Sequence, residues 1–308
     1  MNLFRELYHD VVAEAEYLIH QYEVTDSRLG RHVNHDPRNL NYAHPVLPKS
    51  AITTVQWTRR IPILDQGQLG SCTGNAATGV LGTDSAGRTA TGTVTISAAG
   101  AAASHGHFTA KTYTLNEAFA VSLYELATDI DPYPGQYPPT DTGSDGPSVF
   151  KALQALGLVT GYTHAFSMDA LNSALMAGPV AIGIEWLNSM FTTDANGLIV
   201  VDQSSGVAGG HELEVDGFDT GTGLYTIPNS WGTTGFGVNG VGYMAVADMT
   251  WLLASAQQGD VTVPVYAAVP APPTPTPVPV PPVPVPGVID AQTFYNEIKA
   301  AATAGGLS

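Results

Sequence analysis

The sequence of 308 residues contains one cysteine, Cys72. It lies in Asp65-Gln66-Gly67-Gln68-Leu69-Gly70-Ser71-Cys72-Thr73-Gly74-Asn75-Ala76. Gly-Ser ahead of the thiol and small, helix-compatible residues behind it place the cysteine at the start of a helix. There the helix dipole and the unpaired N–H groups favour the thiolate. The thiolate is the nucleophile that acyl transfer needs. Gln66 stands on the loop leading into that helix, where its amide can donate to a developing oxyanion beside the Cys72 N–H. A candidate base is His211, which follows Gly209-Gly210 and opens a predicted strand, His211–Phe218. Pro228-Asn229-Ser230-Trp231-Gly232 ends another strand. An asparagine carbonyl can accept from an imidazole N–H and fix its tautomer, leaving the other ring nitrogen to face a thiol. Trp231 would cover that bond from water. Singly, each piece has a structural reading: an incidental cysteine, one of nine histidines, a turn with an anchoring indole.

In order, Gln66, Gly-Ser-Cys72, His211 and Asn229-Ser-Trp-Gly resemble the papain-like cysteine peptidases, and Gly-Ser-Cys-Thr-Gly-Asn-Ala looks most like their bacterial and bacteriophage branches. Val55-Gln56-Trp57 resembles the start of the family's mature domain, and Gly178-Pro179-Val180 the first strand of its second half. The resemblance spans residues 55–252. It implies an α+β, two-lobed fold, with a helical lobe opened by the Cys72 helix, an antiparallel β-barrel lobe and a peptide-binding cleft between them. It also implies a cysteine endopeptidase that works through an acyl-enzyme, with Cys72 attacking, His211 moving the proton, Asn229 orienting His211 and Gln66 at the oxyanion. Gly210, Glu212 and Trp231 then fall at substrate-binding positions. The charge of Glu212 favours a basic or polar side chain in the pocket for the second residue before the cut. No metal or organic cofactor is implied.

The sequence departs from the family at three places. Leu69 stands where many members have a disulfide cysteine, and Thr73 where an aromatic residue usually follows the nucleophile. Glu212, Glu214 and Asp216 alternate with Leu213, Val215 and Gly217 after the histidine. One face of that strand must then be wet or paired, because unpaired buried carboxylates are very costly. Two other readings stay open: a papain-like structural or peptide-binding module of a phage or bacterial assembly without turnover, and an acyltransferase that uses the same triad with an amine acceptor.

These residues need helices and strands to position them. Apolar spacing predicts helices at 3–22, 116–129, 148–156 and 169–177, and a weak hairpin strand at 89–97. Short strands follow at 180–186, 197–201, 211–218, 223–228 and 242–246. The domain reading is an N-terminal helix and basic extended arm (1–54), a peptidase domain (55–266), a Pro-rich linker (267–287) and a short C-terminal helix or tail (288–308). Residues 270–286 hold ten prolines and form an extended spacer. The last helix, 290–303, is too short to stand alone, so it docks on this chain or on a partner protein.

Charge narrows the partners. The net charge is −16, which argues against nucleic acid and anionic membranes. The first 60 residues are neutral overall, so the excess sits beyond them. Arg28, Arg31, Arg38, Lys49, Arg59 and Arg60 form a basic arm ahead of an acidic body. Opposite potentials favour docking of that arm, where it partly covers the cleft. No apolar run is long enough to span a membrane. The N-terminus lacks the pattern of a secretory signal, so the expectation is cytoplasmic synthesis, with a virion-associated location as an option. His105-Gly106-His107 has two-ligand metal spacing but no acid or thiol near it in sequence, and is read as a loop.

Overall fold

Three of the helices start where the sequence supplies a cap. Asn116 accepts from Phe119 N (3.1 Å), Asp145 from Ser148 N (2.7 Å) and Ser167 from Ala170 N (3.1 Å), each satisfying an orphan N–H. The computed structural model describes residues 26–267. The predicted helices at 3–22 and 290–303 and the Pro-rich stretch lie outside the described residues. In chain order the elements are β1 (Val55–Gln56), α1 (Cys72–Leu81), β2 (Thr93–Thr95), α2 (Ala98–Ala102), β3 (Thr112–Thr114), α3 (Glu117–Ile130), α4 (Gly146–Ala155), β4 (Gly161–His164), α5 (Met168–Leu175), β5 (Val180–Leu187), β6 (Val207–Val215), β7 (Gly217–Asp219), β8 (Leu224–Pro228), β9 (Val241–Ala245), α6 (Val246–Leu252) and β10 (Asp260–Val265).

Two cores result. One gathers Val80 and Leu81 of α1, Phe119, Leu123 and Leu126 of α3, and Val149, Phe150 and Leu153 of α4. The other gathers Ile182, Ile184 and Trp186 of β5, Leu213 and Val215 of β6, and Tyr225, Ile227 and Met244 of β8 and β9. The strands form two four-stranded antiparallel sheets, in the orders β1-β7-β8-β9 and β4-β10-β5-β6, with β2-β3 as a separate hairpin. Among the described residues these sheets do not close into a barrel. The predicted strand 211–218 is split at Asp216, where the chain leaves the β5 partner and joins the other sheet. Residues 197–201 form only isolated bridges, to Thr193 and Tyr243.

Helix α1 is buried at every position. Its glycines allow that. A Cβ on Gly74 would stand 2.3 Å from Ala120 O, and one on Gly79 2.4 Å from Glu214 Oε2 and 2.6 Å from Arg59 Nη1. Both faces of β6 are therefore covered: Leu213 and Val215 enter the sheet core, while Glu214 meets α1. Glu212, Glu214 and Asp216 are all buried, so this face is not wet; Glu214 is paired, while Glu212 Oε1 and Oε2 and Asp216 Oδ1 have no hydrogen-bond partner among the described residues. Glu214 Oε1 accepts from Thr83 Oγ1 (2.6 Å), and Oε2 pairs with Arg59 Nη1. The partner comes from the basic arm.

Candidate active site

Cys72 is the first residue of α1, after Ser71. Glu117 fixes this corner: it accepts from Asn75 Nδ2 (2.8 Å) and from the Asp65 N–H (3.0 Å), joining the helix to the loop that carries Gln66. That loop also pairs with the Asn229–Gly232 loop of the other lobe. Gln66 N donates to Ser230 O (2.9 Å) and Gly232 N to Leu64 O (2.9 Å). Ser230 Oγ donates to Gln66 Oε1 (2.5 Å), which settles the amide orientation and turns Nε2 toward Leu69 O (2.7 Å) and the cleft.

His211 lies in the middle of β6, not at its start, and opposite Ile184 of β5. Its Nε2 is 2.9 Å from Asn229 Oδ1. Its Nδ1 is buried and has no hydrogen-bond partner among the described residues. Trp231 stacks on the imidazole (5.0 Å between centroids, 25°) and Trp186 meets it edge-on (5.0 Å, 78°). The indole thus shields the His211–Asn229 bond, as the sequence suggests. The backbone N–H of the next residue, Glu212, favours the Cys72 thiolate, and Glu214, two residues further along β6, packs against Gly79 of α1.

The cleft is filled by the chain itself. Residues 26–36, here called the strap, run through it, parallel to both walls, with Gly30 bridged to Gly210 and Arg31 to Ser144. Arg31 N donates to Gly210 O (3.1 Å), His32 N to Ser144 O (2.8 Å) and Ser144 N to Gly30 O (2.8 Å). The Gly30 N–H favours the Cys72 thiolate, and Arg28 O accepts from Gln66 Nε2 (2.9 Å). The strap carbonyl thus takes the oxyanion donor. The Arg28 guanidinium lies 4.3 Å over the Trp231 ring and pairs with Asp26 (2.7 Å). Leu29 packs on Gly209, with its Cβ 2.8 Å from where a Gly209 Cβ would be. Cys72 and His211 are both 0% exposed. Burial pushes the Cys72 thiol up to about 12, against the pull of the N–H groups of Glu212, Gly30 and Thr73. Burial also pulls His211 down to about 4, opposed by the Asn229 hydrogen bond. Under the strap the neutral thiol and neutral imidazole are favoured, not the thiolate–imidazolium pair expected of an open site.

The arm docks as its charge suggests, with a refinement. Arg31, Arg59 and Arg60 pair with Asp260, Glu214 and Asp84 of the body. Arg28 and Arg38 pair with Asp26 and Asp36 of the arm itself. Of the predicted substrate-binding positions, Gly210 supplies a backbone acceptor and Trp231 a ring face. Glu212 shares a pocket with Arg31: its Oε2 and Arg31 Nε would lie 2.8 Å and 2.5 Å from a Cβ on Gly183. Sequence reasoning missed Asp260, Gly183 and Ser144, which line the cleft from distant segments. His105 Nδ1 lies 2.6 Å from Asp129 Oδ2, and His107 Nδ1 3.5 Å from Glu125 Oε2. Among the described residues no group of His, Cys, Asp and Glu could hold a metal ion, and no helix is long and apolar enough to cross a membrane.

The site thus holds a buried thiol at a helix N-terminus and a histidine on β6, the strand packed against that helix, bound to Asn229. A sequence profile described as "Papain family cysteine protease" matches residues 53–257. The chain belongs to the papain family of cysteine proteases and is a cysteine peptidase. Among solved structures it is similar to xylellain, a cysteine protease from Xylella fastidiosa, with 17% identity, a TM-score of 0.55, and coverage of 80% of this chain and 99% of that one. It is also similar to digestive procathepsin L 3 from the larval midgut of Tenebrio molitor, with 20% identity, a TM-score of 0.46, and coverage of 86% and 88%. A search of curated proteins finds no match.

Proposed function

We propose that this protein is an endopeptidase that cleaves peptide bonds by a Cys-His-Asn mechanism and is held closed by its own strap. Cys72 attacks the carbonyl carbon. His211 Nδ1 takes the thiol proton and later returns it to the leaving amine. Asn229 holds the Nε2–H tautomer of His211. Gln66 Nε2, fixed by Ser230, donates to the oxyanion with the Cys72 N–H. Water then hydrolyses the thioester and restores the thiol. The observation that carries this reading is the His211 ring: Nε2 is bound to Asn229, while Nδ1 is buried without a partner among the described residues, on the strand packed against the helix that Cys72 opens.

One observation favours a binding module: the buried, neutral Cys72 and His211 of the closed form are chemically idle. The two readings separate in a direct experiment. The full chain is treated with an electrophilic peptide probe, alone and after the strap is loosened by Gly30→Val, and turnover of a fluorogenic peptide library is followed. The peptidase reading expects labelling at Cys72 and turnover that vanishes in Cys72→Ala. Labelling without turnover in any opened chain would leave the binding module.

A further inference from the structure

The peptide unit between Leu69 and Gly70 is held at both ends. Its carbonyl, Leu69 O, accepts from Gln66 Nε2 (2.7 Å), and its N–H, on Gly70, donates to Asp141 Oδ2 (2.7 Å). Gln66 Nε2 carries two hydrogens. One goes to Leu69 O and the other to Arg28 O of the strap (2.9 Å). The second faces the cleft, so the grip of the Leu69 carbonyl on the first decides where the second points. Asp141 is fixed in turn. Its Oδ1 accepts from Tyr124 Oη (2.5 Å), and the same hydroxyl accepts from Gly143 N (2.8 Å). Tyr124 is buried on α3 and stands against α1, with its Cβ 3.0 Å from where a Gly74 Cβ would be. The carboxylate needs a glycine beside it: a Cβ on Gly70 would lie 2.9 Å from Asp141 Oδ1 and 3.2 Å from Oδ2. The chain has one cysteine, so no internal disulfide can tie this loop to residues 141–144.

We propose that Asp141 is a positioning residue of the oxyanion site, acting on Gln66 through the Leu69–Gly70 peptide. The proposal rests on the peptidase reading and adds a residue to its machinery. A carboxylate suits this place because it accepts at both oxygens, and a hydrogen bond to a charged acceptor is about twice as strong as a neutral one. Polarising the N–H of a peptide unit also strengthens the acceptor at its other end, so the Asp141 contact tightens Leu69 O on the Gln66 amide. An oxyanion donor is worth most when it is fixed before the charge develops. Ser230 fixes the amide oxygen of Gln66 from the sheet lobe, and Asp141, backed by Tyr124, secures the amide nitrogen from the helical lobe. The Asp141 side chain itself is exposed, so it can be removed without opening a cavity in the core.

The test separates oxyanion chemistry from thiol chemistry. Alkylation by iodoacetamide displaces iodide from carbon and forms no oxyanion, whereas peptide cleavage passes through one. In the full chain opened by Gly30→Val, Asp141→Ala is expected to lower kcat by about tenfold or more, with KM nearly unchanged and Cys72 alkylation no slower. Asp141→Asn keeps one acceptor and should lose less. In a chain that also carries Gln66→Ala, Asp141→Ala should cost less than about twofold further, because the amide it positions is gone. An unchanged kcat, an alkylation rate that falls with kcat, or the same loss with and without Gln66 would overturn the proposal. A second measurement needs no turnover. In the wild-type chain the Gly70 amide should be protected from hydrogen exchange, and Asp141→Ala should speed its exchange by about tenfold or more. Unchanged exchange would also overturn the proposal. Faster exchange at Gly70, in a chain that cleaves no peptide after opening, would instead overturn the peptidase reading and leave the clamp on Gln66 standing.

Discussion

Gly30→Val is the sharpest perturbation that the cleft offers. A Cβ at residue 30 would lie 1.9 Å from Gly70 O, 2.6 Å from Gly70 C and 2.7 Å from Gly70 Cα. All three are backbone atoms, so no side chain can swing aside. Gly70 is itself pinned, because its N–H donates to Asp141 Oδ2 (2.7 Å) and Asp141 Oδ1 accepts from Tyr124 Oη (2.5 Å). The strap must therefore lift. The three backbone hydrogen bonds between residues 30–32 and the walls depend on the position that is lost. If only two are broken, at about 1 kcal/mol net each, the ratio of closed to open chains falls about thirtyfold. The assay is the rate of iodoacetamide labelling near neutral pH, which is unambiguous because the chain has one thiol. In the wild type labelling is slow, since the covered thiol is pushed up to about 12. The variant should label at least about thirtyfold faster and show higher peptidase activity. Gly92→Ala is the control, because a Cβ there meets nothing within 4 Å. Wild-type labelling and turnover in Gly30→Val, at an unchanged melting temperature, would refute the gating argument.

Three further outcomes are expected. Asp216 is pushed up to about 8 by burial, with Glu214 adding to the shift and Gln56 and Arg59 opposing it. An acid whose folded pKa is raised stabilises the fold below its unfolded value of about 3.9, and that stability is lost as pH rises through about 8. The melting temperature should fall from pH 5 to pH 9, and Asp216→Asn should flatten the slope in a thermal-shift series; an unchanged slope would contradict it. Arg59→Met removes the cation beside buried Glu214 and should lower the unfolding free energy by about 3–5 kcal/mol in a denaturant titration, with part of the loss recovered by adding Glu214→Gln. Asn229→Ala should lower kcat at least about tenfold, with KM and melting temperature nearly unchanged, because it frees the imidazole without emptying the core.

Much of the site was legible because its groups sit in short contiguous motifs. Gln66, Cys72, Asn229 and Trp231 each stand in a short run of recognisable sequence, although partners in space such as Ser230 for Gln66 and His211 for Asn229 lie far away in it. His211 was found, but its strand was expected to begin with it. Val207–Gly210 is too poor in side chains to show the strand, and only its pairing with β5 reveals it. The acidic alternation at 212, 214 and 216 allowed either a wet or a paired face, because Arg59, which pairs with Glu214, lies far away in sequence. Strands β4 and β10 gave little signal. Pro264 stands in β10, where it is tolerated because that end pairs with β4 alone, beyond the residues that pair with β5. The strap was visible only as a charge imbalance. Its grip on the cleft is made by backbone groups and by Leu29-Gly30-Arg31, a sequence that looks like any exposed loop.

The buried helix that carries Cys72 reverses a familiar rule of protein engineering. Replacing a helical glycine by alanine usually stabilises a protein by about 0.4–1 kcal/mol. In α1 the missing methyls are occupied space: Ala120 O stands against Gly74, and the Arg59–Glu214 pair against Gly79. A library that ranks substitutions by helix propensity would pick both sites first and damage the enzyme at each. Thermostabilised variants should instead be sought at half-buried loop glycines such as Gly92, which meets nothing that an added methyl would touch.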